Sequence, residues 1–98
     1  MAVKAAQLHE SAMVALHEAT QNPENWMELL RSVAPFYKYS FENALLISSQ
    51  RPDAVACATM QQWNRHNLWI RRGSKAIHAI DPNNPYQTLR VFDISDIN

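Results

Sequence analysis

The spacing of apolar residues changes once along this 98-residue chain, and that change limits the possible folds more than any other feature. Up to about residue 66 the apolar positions recur every three or four residues, the spacing of one helical face. Beyond it they alternate, the spacing of a half-buried strand. A helical block followed by a strand block does not build repeated strand–helix units. The chain therefore reads as α+β, with N-terminal helices packed on one face of a small antiparallel sheet of about three strands. At this length it has room for one domain, residues 1–98, with a modest core.

Local signals place the elements. Leu8, Ala12, Ala15, Leu16 and Ala19 form one stripe, predicting a helix from Val3 to about Thr20. Asn22, Pro23 and Glu24 suit the cap, first turn and positive end of a second helix carrying Trp26, Leu29, Leu30 and Val33 and ending near Pro35. Ser40 caps a third helix running to about Gln50. Its Phe41, Ala44, Leu45 and Ser48 stripe, widened by Leu46 and Ile47, makes it the most buried of the helices. Thr59 and Gln62 match a capping box that opens a short helix containing Trp63. Alternation over residues 68–72 and 75–80, separated by Gly73-Ser74, predicts a hairpin, with the single glycine where φ must be positive. Residues 81–85 read as a loop and 87–94 as a third strand.

Several functions have little to stand on. One glycine rules out a Gly-rich nucleotide loop, and no serine sits in a nucleophile elbow. His9-Glu10 and His17-Glu18 lack the second histidine one turn on that a zinc helix needs, since Met13 and Gln21 stand there. The lone Cys57, in a run of small residues, reads as an inert packed thiol and precludes an internal disulfide. The expectation is no enzyme, no metal, no cofactor and no small-molecule substrate. No leader-like segment and no run of ~20 apolar residues is present, so a cytoplasmic location away from membranes is expected.

Charge is balanced overall, nine bases against nine acids, but it is unevenly placed. Residues 1–50 carry three bases and five acids; residues 51–90 carry six bases and two acids. Within residues 63–75, Trp63, Arg65, His66, Trp69, Arg71, Arg72 and Lys75 interleave rings with cations. Such a mixture suits single-stranded nucleic acid, because cations track phosphates while flat rings stack on unpaired bases. The plain alternative is that both tryptophans are core residues and the cations only keep a hairpin in solution. Of the two rings, Trp69 is the stacking candidate, while Trp63 is expected to pack the short helix onto the core. In the cluster Tyr37-Lys38-Tyr39-Phe41 one or two rings are expected under the third helix, and Tyr37 or Tyr39 is a candidate edge for a groove, Tyr39 being the candidate nucleic-acid contact of the two.

The run Tyr39-Ser40-Phe41-Glu42-Asn43-Ala44-Leu45-Leu46-Ile47 with Gln50-Arg51-Pro52-Asp53-Ala54, and later Trp63, residues 71–77, Pro82 and residues 91–96, resembles the N-terminal domain of ArdC-type antirestriction proteins. Similar domains occur in large multidomain proteins of conjugative and phage-like mobile elements. The resemblance covers about residues 20–96. It implies single-stranded DNA binding in the bacterial cytoplasm, linked to protecting transferred DNA from restriction, with Arg71, Arg72 and Lys75 in DNA contact. Asn43 falls at a recurrent position of the family, where helix capping is the local role. The resemblance also implies further domains of the same polypeptide, among them a metallopeptidase-like one, but no zinc or protease chemistry for these residues. A protein-interaction module of a larger mobile-element protein is the competing function.

Overall fold

In the computed structural model, which describes residues 3–98, three long helices precede the sheet. They are α1 (Ala5–Ala19), α2 (Pro23–Val33) and α3 (Phe41–Gln50). A two-residue strand, β1 (Cys57–Ala58), and a short helix, α4 (Met60–Arg65), lead to β2 (Ile77–Asp81) and β3 (Asn84–Asp93). The sheet is antiparallel in the order β1-β3-β2. The α+β class and the count of three strands are as expected.

The caps read from the sequence are all present. The Asn22 side chain accepts the Asn25 amide at 2.8 Å, and Ser40 Oγ accepts that of Asn43 at 3.2 Å. Thr59 and Gln62 close a reciprocal capping box, at 3.2 and 2.8 Å. α2 stops two residues before Pro35, and a 3-10 turn over Ala34–Phe36 follows. That turn buries Phe36 in a core cluster against which the half-buried Val33 and Tyr39 pack.

α3 is the axis of the domain, with every residue from Asn43 to Ser48 buried. One side of it joins Phe36, Ile77 and Val91 around Ile47. The other joins Ala5, Leu8 and Ala12 of α1 to Ile80 around Leu46. Each large aliphatic side chain fully removed from water contributes about 1.5–3 kcal/mol, so α3 carries much of the core's stabilisation. α2 is peripheral by comparison; none of its residues is buried, and Trp26, Met27 and Leu30 remain exposed.

The strand pairing departs from expectation. β2 and β3 form the hairpin, pairing Ile77 with Val91 through Ile80 with Thr88, and only Pro82 and Asn83 lie outside the strands at its tip. The hairpin predicted over residues 68–80 does not form. Residues 68–76 are a loop whose one ladder contact is Ile70 with Ile97. The third strand begins at Asn84 rather than Gln87. Alternation was present in residues 68–72, but a strand also needs a partner along its length. Here only the last residues of the chain lie alongside, with Asn98 donating to Trp69 O at 2.9 Å and Arg71 to Asp96 O at 2.6 Å.

Gly73 does adopt positive φ, at +88°, although in a loop turn closed by Ser74 N–H donating to Arg71 O at 3.1 Å. An added Cβ at Gly73 would meet nothing within 4 Å, so Gly73→Ala tests backbone strain alone. The expected cost is about 1 kcal/mol, read as a lowered urea midpoint with an unchanged m-value.

The two edges of the sheet are treated differently. On the outer edge of β2, Asn43 and Gln50 of α3 stand two helical turns apart and act as a surrogate strand. The Asn43 amide accepts from Ile80 N at 2.8 Å and donates to Ile80 O at 2.9 Å. Gln50 does the same for His78, at 2.8 and 2.7 Å. Asn43 therefore does not cap its helix; Ser40 does that, and Asn43 reads the main chain of β2. On the opposite side β3 is covered by β1 only at Asp93 and Phe92.

Candidate nucleic-acid interface

The cationic segment begins where α4 ends. Asn67 takes a left-handed conformation, φ 60°, while Leu68 N–H donates to Trp63 O and Asn67 N–H to Asn64 O, both at 3.0 Å. This is a Schellman-type stop with asparagine in place of glycine. It turns the chain out of the helix and into the loop of residues 68–76. The dipeptide His66-Asn67 after a short capped helix was the signal for it, and the sequence reading missed it.

Of the six residues singled out for nucleic acid, five fall on this one stretch of chain. Arg65 closes α4, and Trp69, Arg71, Arg72 and Lys75 follow in the loop, all exposed. Trp69 keeps 59% of its surface in solvent. Among the described residues, none of these four cations lies within 4 Å of a carboxylate. Arg71 is held in place, its Nη2 donating to Ser95 O at 3.1 Å. The strand expected over residues 68–72 does not form, and the segment that carries these side chains is a loop. Its curvature rather than a two-residue period sets where the side chains point.

Trp63 and Tyr39 belong to the scaffold. The Trp63 indole donates to Phe92 O at 2.9 Å and fixes α4 against β3. The Tyr39 hydroxyl donates to Cys57 O at 2.7 Å, and its ring meets Phe36 edge-on with centroids 6.3 Å apart. Burial, then the neighbouring Cys57, pushes the Tyr39 phenol up from its ordinary value. Tyr39 is not part of the loop cluster, but it walls a groove of about 910 Å³ between α3, α4 and the tip of the β2–β3 hairpin. Lys38, Arg65 and His66 lie on the rim of that groove, with Trp63 and Leu89 inside it.

At the far end of the groove His9 ties three elements together. Its Nδ1 lies 2.7 Å from Glu42 Oε2 and its Nε2 3.0 Å from Pro85 O. Two acceptors facing both ring nitrogens favour the doubly protonated imidazolium. The Pro85 carbonyl foremost, and then Glu42, raises the His9 pKa above its ordinary value.

Asp93, at the end of β3, fixes the other side of the loop. One carboxylate oxygen accepts the amides of Val55 and Ala56, and the other accepts the amide and hydroxyl of Ser95, at 2.7–3.1 Å. Burial opposes its charge. The Ser95 hydroxyl and the amides of Ala56, Val55 and Ser95 outweigh it and hold the carboxyl down to about 2. Beside it, burial foremost and then the Asp93 charge push the Cys57 thiol up to about 12, so it stays protonated and a poor nucleophile at neutral pH. No helix among the described residues is long and apolar enough to cross a membrane.

Comparison with known proteins fits this architecture. A Bacillus anthracis protein described as uncharacterized, pXO2-81, is 36% identical over 61 residues, which cover 62% of this chain and 10% of that protein. The aligned region thus amounts to about a tenth of the length of the relative it matches. No solved structure matches it. The model of the N-terminal domain of the anti-restriction factor ArdC matches residues 6–91, almost the whole helix-and-sheet framework described above. The chain therefore belongs to the family of ArdC N-terminal domains.

Proposed function

We propose that this domain binds single-stranded nucleic acid, single-stranded DNA foremost, through the loop that follows α4, in an antirestriction or mobile-element setting in the bacterial cytoplasm. The observation that carries the reading is an indole 59% exposed on a loop with four cations that meet no carboxylate among the described residues. A cation already paired would have to break its pair before taking a phosphate, whereas Arg65, Arg71, Arg72 and Lys75 pay no such cost. An exposed indole gains from covering a base, and base stacking on an aromatic ring contributes about 1–3 kcal/mol. Duplex DNA hides its base faces, so the ring favours single strands. The domain acts as a binding module rather than an enzyme, and its family membership supports the antirestriction setting.

Fluorescence anisotropy of a labelled oligo(dT) over a salt series tests this. Four phosphate contacts give a log–log slope near −3, and the triple variant Arg71→Ala, Arg72→Ala, Lys75→Ala flattens it by about 2. Trp69→Ala weakens binding by about tenfold while leaving the slope alone, because stacking releases no counterions. Equal binding by the triple variant and the wild type would remove this surface from consideration.

A further inference from the structure

The edge of β3 that β1 leaves uncovered is a second surface with its own chemistry. In this sheet the residues of β2 that face outward are His78 and Ile80, since α3 takes up their main-chain groups. Ile77 and Ala79 therefore bond inward to Val91 and Leu89, their partners in the register. It follows that Thr88 and Arg90 turn their N–H and C=O groups away from β2, toward the side where β1 lies. The Ile94 amide, which donates to Ala56 O at 2.8 Å, and Phe92 O, which accepts the Trp63 indole, follow the same even-numbered pattern. β1 ends at Ala58, opposite Phe92, and α4 leaves the plane of the sheet there. Among the described residues the outward main-chain groups of Thr88 and Arg90 meet no partner.

We propose that this edge takes an extended peptide segment as a fourth strand, with an apolar residue opposite Leu89 and an acidic residue opposite Arg90. The edge alternates donor and acceptor along its length, which another polypeptide backbone matches. A phosphodiester backbone offers acceptors only and would meet the carbonyls of Thr88 and Arg90 with repulsion. Side chains of an added strand alternate between faces. The residue opposite Leu89 would enter the groove walled by Tyr39 and Trp63. Its neighbour would stand beside Arg90, which is exposed and without a carboxylate within 4 Å among the described residues, as a cross-strand ion pair. β2 has its edge closed by Asn43 and Gln50; β3 has no such cover over these two residues, although an open edge invites unwanted pairing.

Three acetylated, amidated hexapeptides that alternate glutamate with an apolar residue, the central one valine, leucine or phenylalanine, provide the probe. Amide hydrogen exchange of the whole chain provides the readout. At least one peptide should slow exchange at Thr88 and Arg90, with little change at Leu89, which is already bonded to β2. Thr88→Pro removes an outward donor without touching the β2 ladder and should weaken that peptide about tenfold or more. Arg90→Glu, an exposed substitution that leaves the core alone, should weaken the glutamate peptide and favour its lysine counterpart. The triple loop variant should bind the peptide as the wild type does, so this surface and the nucleic-acid loop fail or succeed separately. The proposal is overturned if no peptide slows Thr88 and Arg90, if Arg90→Glu makes no distinction between the two charges, or if oligo(dT) rather than peptide protects those amides.

Discussion

Asp93→Ala should lower the stability of the domain by about 3–4 kcal/mol, enough to take roughly 15–25 °C off the melting temperature of a chain this size. Asp93 is 2% exposed and accepts four hydrogen bonds from the segments before β1 and after β3, which one further main-chain bond, Ile94 N–H to Ala56 O, also joins. Removing it leaves the part-buried Val55 and Ala56 amides and the Ser95 donors without their acceptor. Asp93→Asn keeps one carbonyl oxygen but sets an NH2 group against the Ser95 donors, and should cost about half as much. The charge itself has a separate signature. Because the folded carboxyl titrates at about 2, below its ordinary 3.8, the ionised form stabilises the fold by about 2 kcal/mol above pH 4. That contribution fades as pH falls from about 4 toward 2, and Asp93→Asn should lack this part of the acid limb. Urea unfolding at pH 7, 4 and 2.5 reads both effects. Equal acid sensitivity of wild type and Asp93→Asn would show that the carboxylate is not the group being titrated.

The second large effect belongs to Asn43. Asn43→Ala should cost about 2–4 kcal/mol, because it strands a buried N–H and a buried C=O of Ile80 together. Gln50→Ala removes the same pair of bonds from His78 at an exposed position, where water replaces them, and should cost no more than about 1 kcal/mol. The contrast reads burial, since each amide makes the same pair of bonds to β2 and Gln50 has one more, donating to Leu46 O at 3.0 Å. Asn43→Asp sharpens the test. Its second oxygen would face Ile80 O, so at pH 7 the variant should be at least as unstable as the alanine one. Burial raises the pKa of that new carboxyl above its unfolded value, so the penalty is relieved as pH falls toward 5, where a protonated carboxyl can donate again. Chemical denaturation at pH 7 and pH 5 reads it. A variant equally stable to wild type at pH 7 would mean that Asn43 does not hold the β2 edge.

These two residues also mark where reading along the chain reaches its end. Asn43 was visible as a polar residue in an apolar helix, and a local capping role suited it. Its partner is 37 positions away, and no periodicity encodes that distance. Asp93 lay within the run read as the third strand, with nothing local to mark it as the hub joining β1 to the end of β3. Trp63 and Trp69 were separable in kind, one on a capped helix and the other beyond it. Their exposures depended on where α4 stops, and the left-handed Asn67 sets that.

What the amino-acid order determined by itself was everything local. It set the starts and capping of α2, α3 and α4, the buried face of α3, the positive φ of Gly73, the block order that makes the class α+β, and the placing of rings and cations after residue 62. Each of these depends on groups within about four positions of one another, through capping bonds, side-chain spacing or backbone sterics. Tertiary structure alone decided which alternating segment became a strand. The decision went to residues 77–81 and 84–93, because Ile77, Ala79 and Val91 could be buried under α3 while residues 68–72 had only the chain's last residues beside them. It also decided that one sheet edge is sealed by amides and the other left open. Those outcomes rest on burial and hydrogen bonds between groups dozens of residues apart, and their energies exist only once the chain has packed.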